Sequence, residues 1–417
     1  MSGDLLDDRP ILVVDDDIAI QNLMKRQLSD IGAHHIDTAS RGDDAWGLLC
    51  DHHYRLIILD WRLPGLGGVT LFNRLRLKVD YARTPILVVS GFVTKKDFSL
   101  LDDYPCTDFL EKPFSKLQTE QAVEDLLKTS NWYVQSEEKL SLILKKHQRN
   151  PVVMVEEVDK IIAGNPKPLA ICLIVARYLR KMENYHDASL YAKKALNYDK
   201  NSLAAMTEMA KILHLQGQID SATKMLRMVS QISMQNIDRL CLLGELEMTS
   251  GKPKEARQVF AKALDLDSEC EKAKTGTEFA NQLEEFQAHS QESIPQNLAG
   301  IANIMGISLA KKGKLKEAEK TYHAAMSFLT DRSEQAKIWF NLGICHLKYG
   351  DHKKGIALME KSVQCGGDVF LRAGQVLDQL RFGNTSQETI DFYHLDDEEL
   401  HDGVYDQESF GISRMWF

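Results

Sequence analysis

The sequence lacks several features that would place it in a familiar class. Its 417 residues contain no run near the ~18 apolar residues that a membrane-spanning helix needs. The first residues are acidic and hold no apolar stretch with a cleavage site, so we expect no secretion signal. The seven cysteines are scattered without a CxxC pair, and an odd number cannot all pair within one chain. These absences predict free thiols, a cytoplasmic location and no membrane partner.

Motifs of common enzyme classes are missing as well. The segments GKPKEA and GKLKEA lack the glycine spacing and the hydroxyl residue of a phosphate-binding loop. Neither HExxH nor GxSxG occurs, and no helix-turn-helix is evident. The histidine pairs at 34–35 and 52–53 are expected to be surface residues rather than metal ligands. The sequence therefore predicts no cofactor-binding motif and no conventional enzyme, so any output must come from a partner.

The net charge of −9 is divided unevenly along the chain. Residues 1–125 carry 21 acidic and 14 basic side chains, a net charge of −7. Residues 385–417 carry 9 acidic and 1 basic side chains, a net charge of −8, which leaves +6 for the residues between. That mild excess falls short of the concentrated basic face of a nucleic-acid binder. We expect no nucleic-acid partner; direct DNA binding would require salt-sensitive binding to duplex DNA.

Short apolar runs alternate with helical patterns over the first 130 residues. Strands are predicted at 11–14, 35–39, 56–59, 86–89 and 108–111. Helical patterns follow the first strand and lie around 43–50, 69–77, 95–104 and 115–127. Alternating strands and helices predict an α/β doubly wound domain, with a parallel sheet covered on both faces.

Polar side chains follow four of these strands at the point where each strand ends. Asp15 and Asp16 follow the first strand, Asp60 the third, Ser90 the fourth and Lys112 the fifth. Because ligands of such sheets bind at the carboxyl ends of the strands, we expect these side chains to share one crevice. Clustered carboxylates repel one another unless a cation intervenes, and hard oxygen ligands suit Mg²⁺.

Four fragments in this order, VVDD, LDWRLPG, VVSG and EKPF, resemble the receiver domain of two-component response regulators over roughly residues 9–130. The resemblance implies a flavodoxin-like fold with five parallel strands. It implies that Asp60 accepts the phosphoryl group and becomes 4-aspartylphosphate. It also implies that Asp15, Asp16, Asp60 and the backbone carbonyl of Arg62 bind Mg²⁺.

The same resemblance implies roles for residues beyond the carboxylates. Lys112 would pair with the phosphoryl oxygens, Ser90 would donate a hydrogen bond to them, and both would assist catalysis at Asp60. Ser90 and Phe109 would form the switch, although Phe109 lacks the hydroxyl of the tyrosine often found there. Pro113 fits the position of a cis peptide. The phosphoryl donor would be a sensor histidine kinase, a phosphotransfer protein or a small acyl phosphate.

After residue 130 a helical pattern with a period of 34 residues replaces the strands. Small residues recur at this spacing in three series: Ala176, Ala210 and Gly244; Gly217 and Gly251; and Ala188, Ala222 and Ala256. The pattern resumes around Gly306, Gly313 and Ala318, and again around Gly343 and Gly355. A sustained 34-residue period of helix pairs resembles tetratricopeptide repeats, an all-α solenoid.

Two stretches depart from the period. Ala318 and Gly355 are 37 residues apart, which predicts three inserted residues in a turn at 331–333. The stretch 271–295 is predicted to be a long or irregular helical pair. The resulting domain organisation is a receiver at 1–130, a helical linker at 131–167 broken at Asn150–Pro151, helical repeats at 168–383 and an acidic tail at 384–417. The tail is either a solvated segment or a docking segment.

These features predict a phosphorylation-dependent signalling switch. Phosphorylation of Asp60 would control protein–protein interaction through the helical repeats, or dimerisation of the chain. Self-catalysed phosphoryl transfer and hydrolysis would be its only chemistry. The alternative is a constitutive scaffold or adaptor whose receiver is not phosphorylated, in which case loss of Asp60 would leave partner binding unchanged.

Overall fold

A computed structural model describes residues 9–92, 94–147, 150–290, 295, 297–329, 331–349, 351–367 and 370–382. The chain divides into two compact units, residues 1–240 and residues 241–417. Among the described residues, no helix is both long enough and apolar enough to cross a membrane. All seven cysteines are free thiols. The predicted tail, residues 384–417, lies outside the described residues.

The first unit begins with a five-stranded parallel sheet in the order β2-β1-β3-β4-β5. The strands are β1 (Ile11–Val14), β2 (Ile36–Ala39), β3 (Leu56–Asp60), β4 (Ile86–Ser90) and β5 (Thr107–Glu111). The intervening helices are α1 (Ile18–Asp30), α2 (Gly42–Asp51), α3 (Gly68–Leu77) and α4 (Lys95–Leu101), with a 3₁₀ turn at Val79–Tyr81; α5 (Lys116–Lys146) follows β5. The predicted doubly wound sheet is confirmed.

Alternating side chains of the central strands enter two separate cores, one on each face of the sheet. In β1, Leu12 and Val14 join one cluster, and Ile11 and Val13 join the other. Both faces of β1, β3 and β4 are buried, which explains why these strands are apolar at successive positions rather than at every second position. The polar residues of β3 and β4 are therefore confined to their carboxyl ends.

Helix α4 is shorter than predicted. It begins after Thr94, whose side chain forms a capping box with Asp97, and it ends at Leu101 rather than near residue 104. Proline at 105 disfavours helical geometry for the residue before it, so the helix cannot extend into β5.

Helix α5 is a single helix of 31 residues where the sequence predicts two. No glycine or proline interrupts residues 127–133, so the helix continues through the expected domain boundary at 130/131. Its first half places Leu126 and Leu127 in the core of the sheet, and its second half places Leu140 and Leu144 in the core of the following helices. One helix thus belongs to both cores.

The remaining chain is helical. In the first unit these helices are α6 (Pro151–Ala163), α7 (Pro168–Lys181), α8 (Tyr185–Tyr198), α9 (Leu203–Leu215) and α10 (Ile219–Ile232). Helix α11 (Ile237–Thr249) contains the division between the units. The second unit continues with α12 (Pro253–Leu266), α13 (Glu271–His289), α14 (Leu298–Lys311), α15 (Leu315–Met326), α16 (Arg332–Tyr349), α17 (His352–Gly366) and α18 (Arg372–Phe382).

Packing within the helix pairs explains the small residues of the 34-residue period. Gly244 of α11 faces Phe260 of α12, and a Cβ at Gly244 would lie 2.6 Å from that ring. Gly306 of α14 faces Tyr322 of α15 in the same way. A small residue on the first helix therefore accommodates a large one on the second, 16 positions later in both pairs.

The two irregular stretches differ from their predictions. Residues 271–289 form one long helix, α13, rather than two helices. Residues 332 and 333 lie in the first turn of α16 rather than in a loop, because Asp331 accepts a hydrogen bond from the backbone N–H of Glu334 and caps that helix.

Candidate functional site

Three carboxylates meet at the carboxyl end of the sheet. Asp15 and Asp16 follow β1, and Asp60 is the last residue of β3. Their oxygen atoms lie within 4.8 Å of one another. Asp15 and Asp60 are buried, whereas Asp16 is exposed to solvent. The sheet brings together all three carboxylates that the sequence analysis placed in one crevice.

Lys112, just past β5, joins this cluster. Its Nζ donates a hydrogen bond of 2.6 Å to Asp15 Oδ2 and one of 2.9 Å to Asp60 Oδ2. Burial lowers the pKa of Lys112, but the hydrogen bonds to Asp15 and Asp60 outweigh burial and raise it, so the ammonium stays charged. Burial raises the pKa of Asp15, and Lys112 opposes that rise. One ammonium among three carboxylates leaves a set of hard oxygen donors that fits a divalent cation such as Mg²⁺.

Neighbouring groups hold the two buried carboxylates in place. Gln21 Nε2 donates a hydrogen bond of 2.6 Å to the backbone oxygen of Asp15. The backbone N–H of Arg62 donates one of 3.1 Å to Asp60 Oδ1. A Cβ at Gly68 would collide with the backbone oxygen of Asp60, so only glycine fits at the start of α3. Sequence reasoning missed Gln21 and Gly68, which belong to no motif.

Ser90 is the last residue of β4, and Phe109 lies in the middle of β5. Ser90 is buried, and its Oγ donates a hydrogen bond of 3.1 Å to the backbone oxygen of Phe92. Phe109 is half-buried, and its ring centre lies 5.3 Å from that of Phe98 on α4. The Lys112–Pro113 peptide bond is cis.

Sequence reasoning also missed Trp61, the residue that follows Asp60. Its indole Nε1 donates a hydrogen bond of 2.8 Å to Asp97 Oδ1, and both side chains are buried. Although burial raises the pKa of Asp97, hydrogen bonds from Thr94, Trp61 and Gln235 outweigh burial and lower it. The spacing of Thr94 and Asp97 is a capping-box pattern that could have indicated the start of α4, but not its bond to Trp61.

Helices α3 and α4 bind the connection between α10 and α11 together with the first residues of α11, and we call these residues, 233–239, the α10–α11 segment. Gln235 Nε2 donates a hydrogen bond of 3.0 Å to Asp97 Oδ1. Asn73 Nδ2 donates one of 3.0 Å to the backbone oxygen of Gln235, and Asn73 Oδ1 accepts one of 3.1 Å from the backbone N–H of Ile237. A loop between two repeat helices is therefore bonded to the sheet domain.

A buried ion pair lies in the same contact. Arg239 pairs with Asp103, which follows α4, and Asn236 Nδ2 donates a hydrogen bond of 2.9 Å to Asp103 Oδ2. The Arg239 side chain is also bonded to Thr207 Oγ1 and to the backbone oxygen of Ser233. No local sequence signal connects residues 103 and 239, since only the fold brings them together.

Comparison with known proteins finds a family match in two segments of the chain. Residues 11–124 match the family described as response regulator receiver domain, and residues 237–270 match the tetratricopeptide repeat family. A chemotaxis protein CheY homolog of Campylobacter jejuni is 27% identical over 122 residues, which cover 29% of this chain and 94% of that protein. The phosphate regulon transcriptional regulatory protein PhoB of Rhizobium meliloti is 32% identical over 118 residues, covering 28% of this chain and 52% of that protein.

A longer match reaches beyond the receiver. The probable transcriptional regulator ycf29 of Cyanophora paradoxa is 27% identical over 169 residues, which cover 40% of this chain and 77% of that protein.

Among solved structures, the chemotaxis protein CheY4 of Vibrio cholerae matches with 24% identity and a TM-score of 0.27, covering 29% of this chain and 99% of that one. The receiver domain of the Francisella response regulator 1452 matches with 30% identity and a TM-score of 0.26, covering 29% and 97%. By its sequence match and its five-stranded parallel sheet, this chain carries an amino-terminal response regulator receiver domain, followed by a helical region that contains a tetratricopeptide repeat.

Proposed function

We propose that this chain is a phosphorylation-dependent signalling switch that accepts a phosphoryl group on Asp60 and controls protein–protein interaction through its helical repeats. Its receiver relatives support phosphorylation-based signalling in general. The observation that carries the proposal for this chain is the cluster at the sheet edge, where Lys112 bonds both Asp60 and Asp15 beside Asp16.

The phosphoryl transfer would proceed at the Asp60 carboxylate. One carboxylate oxygen attacks phosphorus, the bond from phosphorus to the histidine nitrogen of the donor breaks, and the imidazole leaves. Lys112 already lies 2.9 Å from Asp60, where its ammonium neutralises the incoming phosphoryl oxygens. Asp15, Asp16, Asp60 and the backbone carbonyl of Arg62 would hold Mg²⁺, which supplies further positive charge to the phosphoryl oxygens.

The switch would follow from the new charge. A phosphoryl group adds about −1.5 to −2 charges at the carboxyl ends of the strands. Ser90 follows Val89, the residue opposite Asp60 in the sheet, and its hydroxyl would turn from the backbone oxygen of Phe92 toward the phosphoryl oxygens. Phe109, half-buried against Phe98, would fill the space that Ser90 vacates. The chemistry is self-catalysed transfer and hydrolysis, with no other substrate.

The output would be binding of a protein partner by the repeats. Helical repeats present extended concave surfaces and carry no chemistry of their own. The donor would be a sensor histidine kinase or a phosphotransfer protein in the cytoplasm, and a homodimer is a second form that the output could take. A constitutive scaffold whose receiver is not phosphorylated is the competing function, and the following experiment separates the two.

The intact mass of the full chain is measured after incubation with acetyl phosphate, with and without Mg²⁺. We expect the mass of one phosphoryl group to be added only with Mg²⁺, because the carboxylates need a cation to accept an anionic donor. Asp60→Asn should show no added mass. Asp51→Asn is the matched control, since Asp51 is an exposed aspartate at the end of α2, and it should behave as the wild type.

The mass could stay unchanged although Asp60 is phosphorylated, if the phosphoryl group is hydrolysed before it is detected. Binding of beryllofluoride, a phosphoryl analogue, tests that case on the same samples. A folded wild-type chain that neither gains mass nor binds beryllofluoride with Mg²⁺ would favour the scaffold function.

A further inference from the structure

We infer that Cys241 and Cys270 form an oxidisable thiol pair, in which Cys270 reacts with a hydroperoxide and Cys241 then closes a reversible disulfide. This modification site goes beyond the proposed function, because it lies within the helical region and needs no phosphoryl group on Asp60.

The two thiols are in contact within the second unit. Their Sγ atoms lie 3.9 Å apart, although the residues are 29 positions apart in sequence. The sulfurs of a disulfide are about 2.05 Å apart, so these two must come about 1.9 Å closer. Cys270 is the N-cap residue of α13 and follows the short connection from α12. Rotation of its side chain supplies a movement of this size while both helices stay in place.

A packed framework holds α11 and α13 at this spacing. The ring of Phe260, on α12, lies against Gly244 of α11 and Gly276 of α13, and a Cβ at either glycine would collide with it. Lys272 of α13 pairs with Glu245 of α11 at 3.5 Å. The thiols are therefore held in contact by the packing of three helices, so little conformational freedom is lost when the bond forms.

The two cysteines are suited to different roles. Cys270 is half-buried, so a small peroxide can reach its sulfur, whereas Cys241 is 2% exposed. The hydrogen bond from Cys241 lowers the pKa of Cys270, burial opposes this, and the backbone N–H groups of Ala273 and Lys272 lower the pKa further. Oxidation by peroxide follows thiolate character and exposure. Cys270 is therefore the attacking cysteine, and Cys241 is the one that closes the disulfide.

Three other buried cysteines lack this environment. Burial raises the pKa of Cys172 and that of Cys345 to about 11, and it raises the pKa of Cys106 as well. Their thiols stay protonated near neutral pH and are poor nucleophiles. We therefore expect peroxide to oxidise the pair in preference to these three cysteines.

The chemistry proceeds in two steps. The Cys270 thiolate attacks one oxygen of the hydroperoxide, the O–O bond breaks, and the other oxygen leaves as an alkoxide or hydroxide that takes up a proton. This step leaves a sulfenic acid at Cys270. Cys241 Sγ then attacks Cys270 Sγ, the S–S bond forms, and the hydroxyl leaves as water with the Cys241 thiol proton. The two thiols lose two electrons in total, and the peroxide is reduced to water and an alcohol, or to two waters if it is hydrogen peroxide.

The disulfide would join two parts of one repeat. Residues 237–270 match the tetratricopeptide repeat family, so Cys241 lies in the first helix of that repeat and Cys270 is its last residue. The bond encloses the whole of α12 and fixes α11 to the start of α13. Since each repeat of such an array contacts its neighbours, oxidation fixes the spacing on which the local curvature depends.

The first arm of the test uses the reduced full chain. It is treated with a slight excess of hydrogen peroxide, alkylated, and digested with trypsin without reductant. We expect residues 240–254 to be joined to residues 263–272, with loss of two alkylated thiols. Dithiothreitol should restore both thiols. Cys50→Ser, at an exposed cysteine outside the second unit, is the control and should give the same linked peptides.

The second arm separates the two steps by trapping sulfenic acid with dimedone. The wild type should show little trapped Cys270, because Cys241 consumes the sulfenic acid. In Cys241→Ser the dimedone adduct of Cys270 should become the main product. In Cys270→Ser the linked peptides should be absent and Cys241 should stay reduced, because its buried thiol has no oxidised partner to attack.

The third arm compares the unfolding of the oxidised and reduced full chain by calorimetry. A cross-link around this loop should raise the midpoint of the transition that includes the repeat by roughly 5–10 °C, because it restricts the unfolded chain. Cys241→Ser should show no such rise after peroxide treatment.

Three results would overturn the inference. The first is a peroxide-treated wild type without the linked peptides, and the second is Cys270 oxidised to sulfinic acid while Cys241 stays reduced. The third is a disulfide that lowers the midpoint, since the thiols would then not be held in a bonding arrangement. If a serine variant does not fold, the wild-type digest still decides. Asp60→Asn should form the disulfide as the wild type does, which separates this result from the proposed function.

Discussion

At the scale of single residues, Cys270 shows how neighbours change the chemistry of a side chain. It is the N-cap residue of α13, and its Sγ lies 3.9 Å from Sγ of Cys241. The hydrogen bond from Cys241 lowers the pKa of Cys270 to about 6, burial opposes this, and the backbone N–H groups of Ala273 and Lys272 lower the pKa further. Since the thiolate is the nucleophilic form, Cys270 should react readily near neutral pH.

This pKa predicts a specific pattern of alkylation. Iodoacetamide labelling of Cys270, followed by peptide mass spectrometry, should rise with a midpoint well below the pKa of an ordinary cysteine. In Cys241→Ser the midpoint should change, because a hydroxyl replaces the thiol donor, whereas Cys50→Ser, at an exposed cysteine remote in sequence, should leave it as it is. A midpoint near pH 9 in the wild type would contradict the prediction.

Residues of the proposed phosphorylation site could be predicted from sequence to different extents. Asp15, Asp60 and Lys112 each lie at the carboxyl end of a strand, so the parallel sheet alone brings them together. The bonds of Asp97 to Trp61 and Gln235 could not be predicted, since these residues are 36 and 138 positions away and no periodic pattern relates them. Local pattern identifies groups at strand ends, whereas contacts between domains depend on the path of the whole chain.

At the scale of elements, the helix pairs share one residue with a left-handed backbone conformation just after the first helix. Gly217 and Gly251 have φ of 74° and 68°, which glycine adopts without steric cost. The equivalent position 34 residues before Gly217 is Glu183, with φ of 60°. A residue with a Cβ is disfavoured there by about 1–2 kcal/mol.

Glu183→Gly should therefore stabilise the first unit, by about 0.5–1 kcal/mol after the greater freedom of glycine in the unfolded chain is subtracted. Urea denaturation followed by circular dichroism measures the change. Glu183→Ala keeps the Cβ and controls for loss of the glutamate, so it should give no such gain. Equal effects of the two substitutions would show that φ at this position is not the cause.

The sequence pattern predicted the helix pairs better than the connection between the receiver and the repeats. Gly244 and Gly306 are small because Phe260 and Tyr322 need the space, and the small residue and the large one are 16 positions apart in both pairs. The continuity of α5 could not be predicted in this way. A helix without glycine or proline at the boundary looks the same whether its next turn packs on the sheet or on another helix.

At the scale of the whole molecule, the division into two compact units has a thermodynamic consequence. Chains with several units commonly unfold in more than one step. A ligand that binds one folded unit stabilises that unit by about 2.7 kcal/mol at 100 times its dissociation constant. The Asp15–Asp16–Asp60 cluster, the proposed phosphorylation site, lies wholly within residues 1–240.

We therefore expect two transitions in calorimetric unfolding of the full chain, with Mg²⁺ and beryllofluoride raising the midpoint of only one. Gly244→Ala, which would place a Cβ 2.6 Å from the Phe260 ring in the second unit, should lower the other midpoint. A single transition that both changes shift together would show that the units unfold cooperatively.

Because α5 is continuous, its helical rotation determines which of its side chains face the receiver core and which face the repeat core. Each residue of a helix advances by about 100° around its axis and 1.5 Å along it. One residue inserted after Ser130 would turn Leu140 and Leu144 away from the core that they now fill, while Leu126 and Leu127 stayed in the sheet. A different receiver could therefore be joined to these repeats only if the length of α5 changes by a number of residues that restores the rotation of the helix. Seven residues, about two helical turns, is such a number. Helix α5 is therefore a rigid connection that fixes the rotational setting of the receiver and the repeats, unlike a flexible linker.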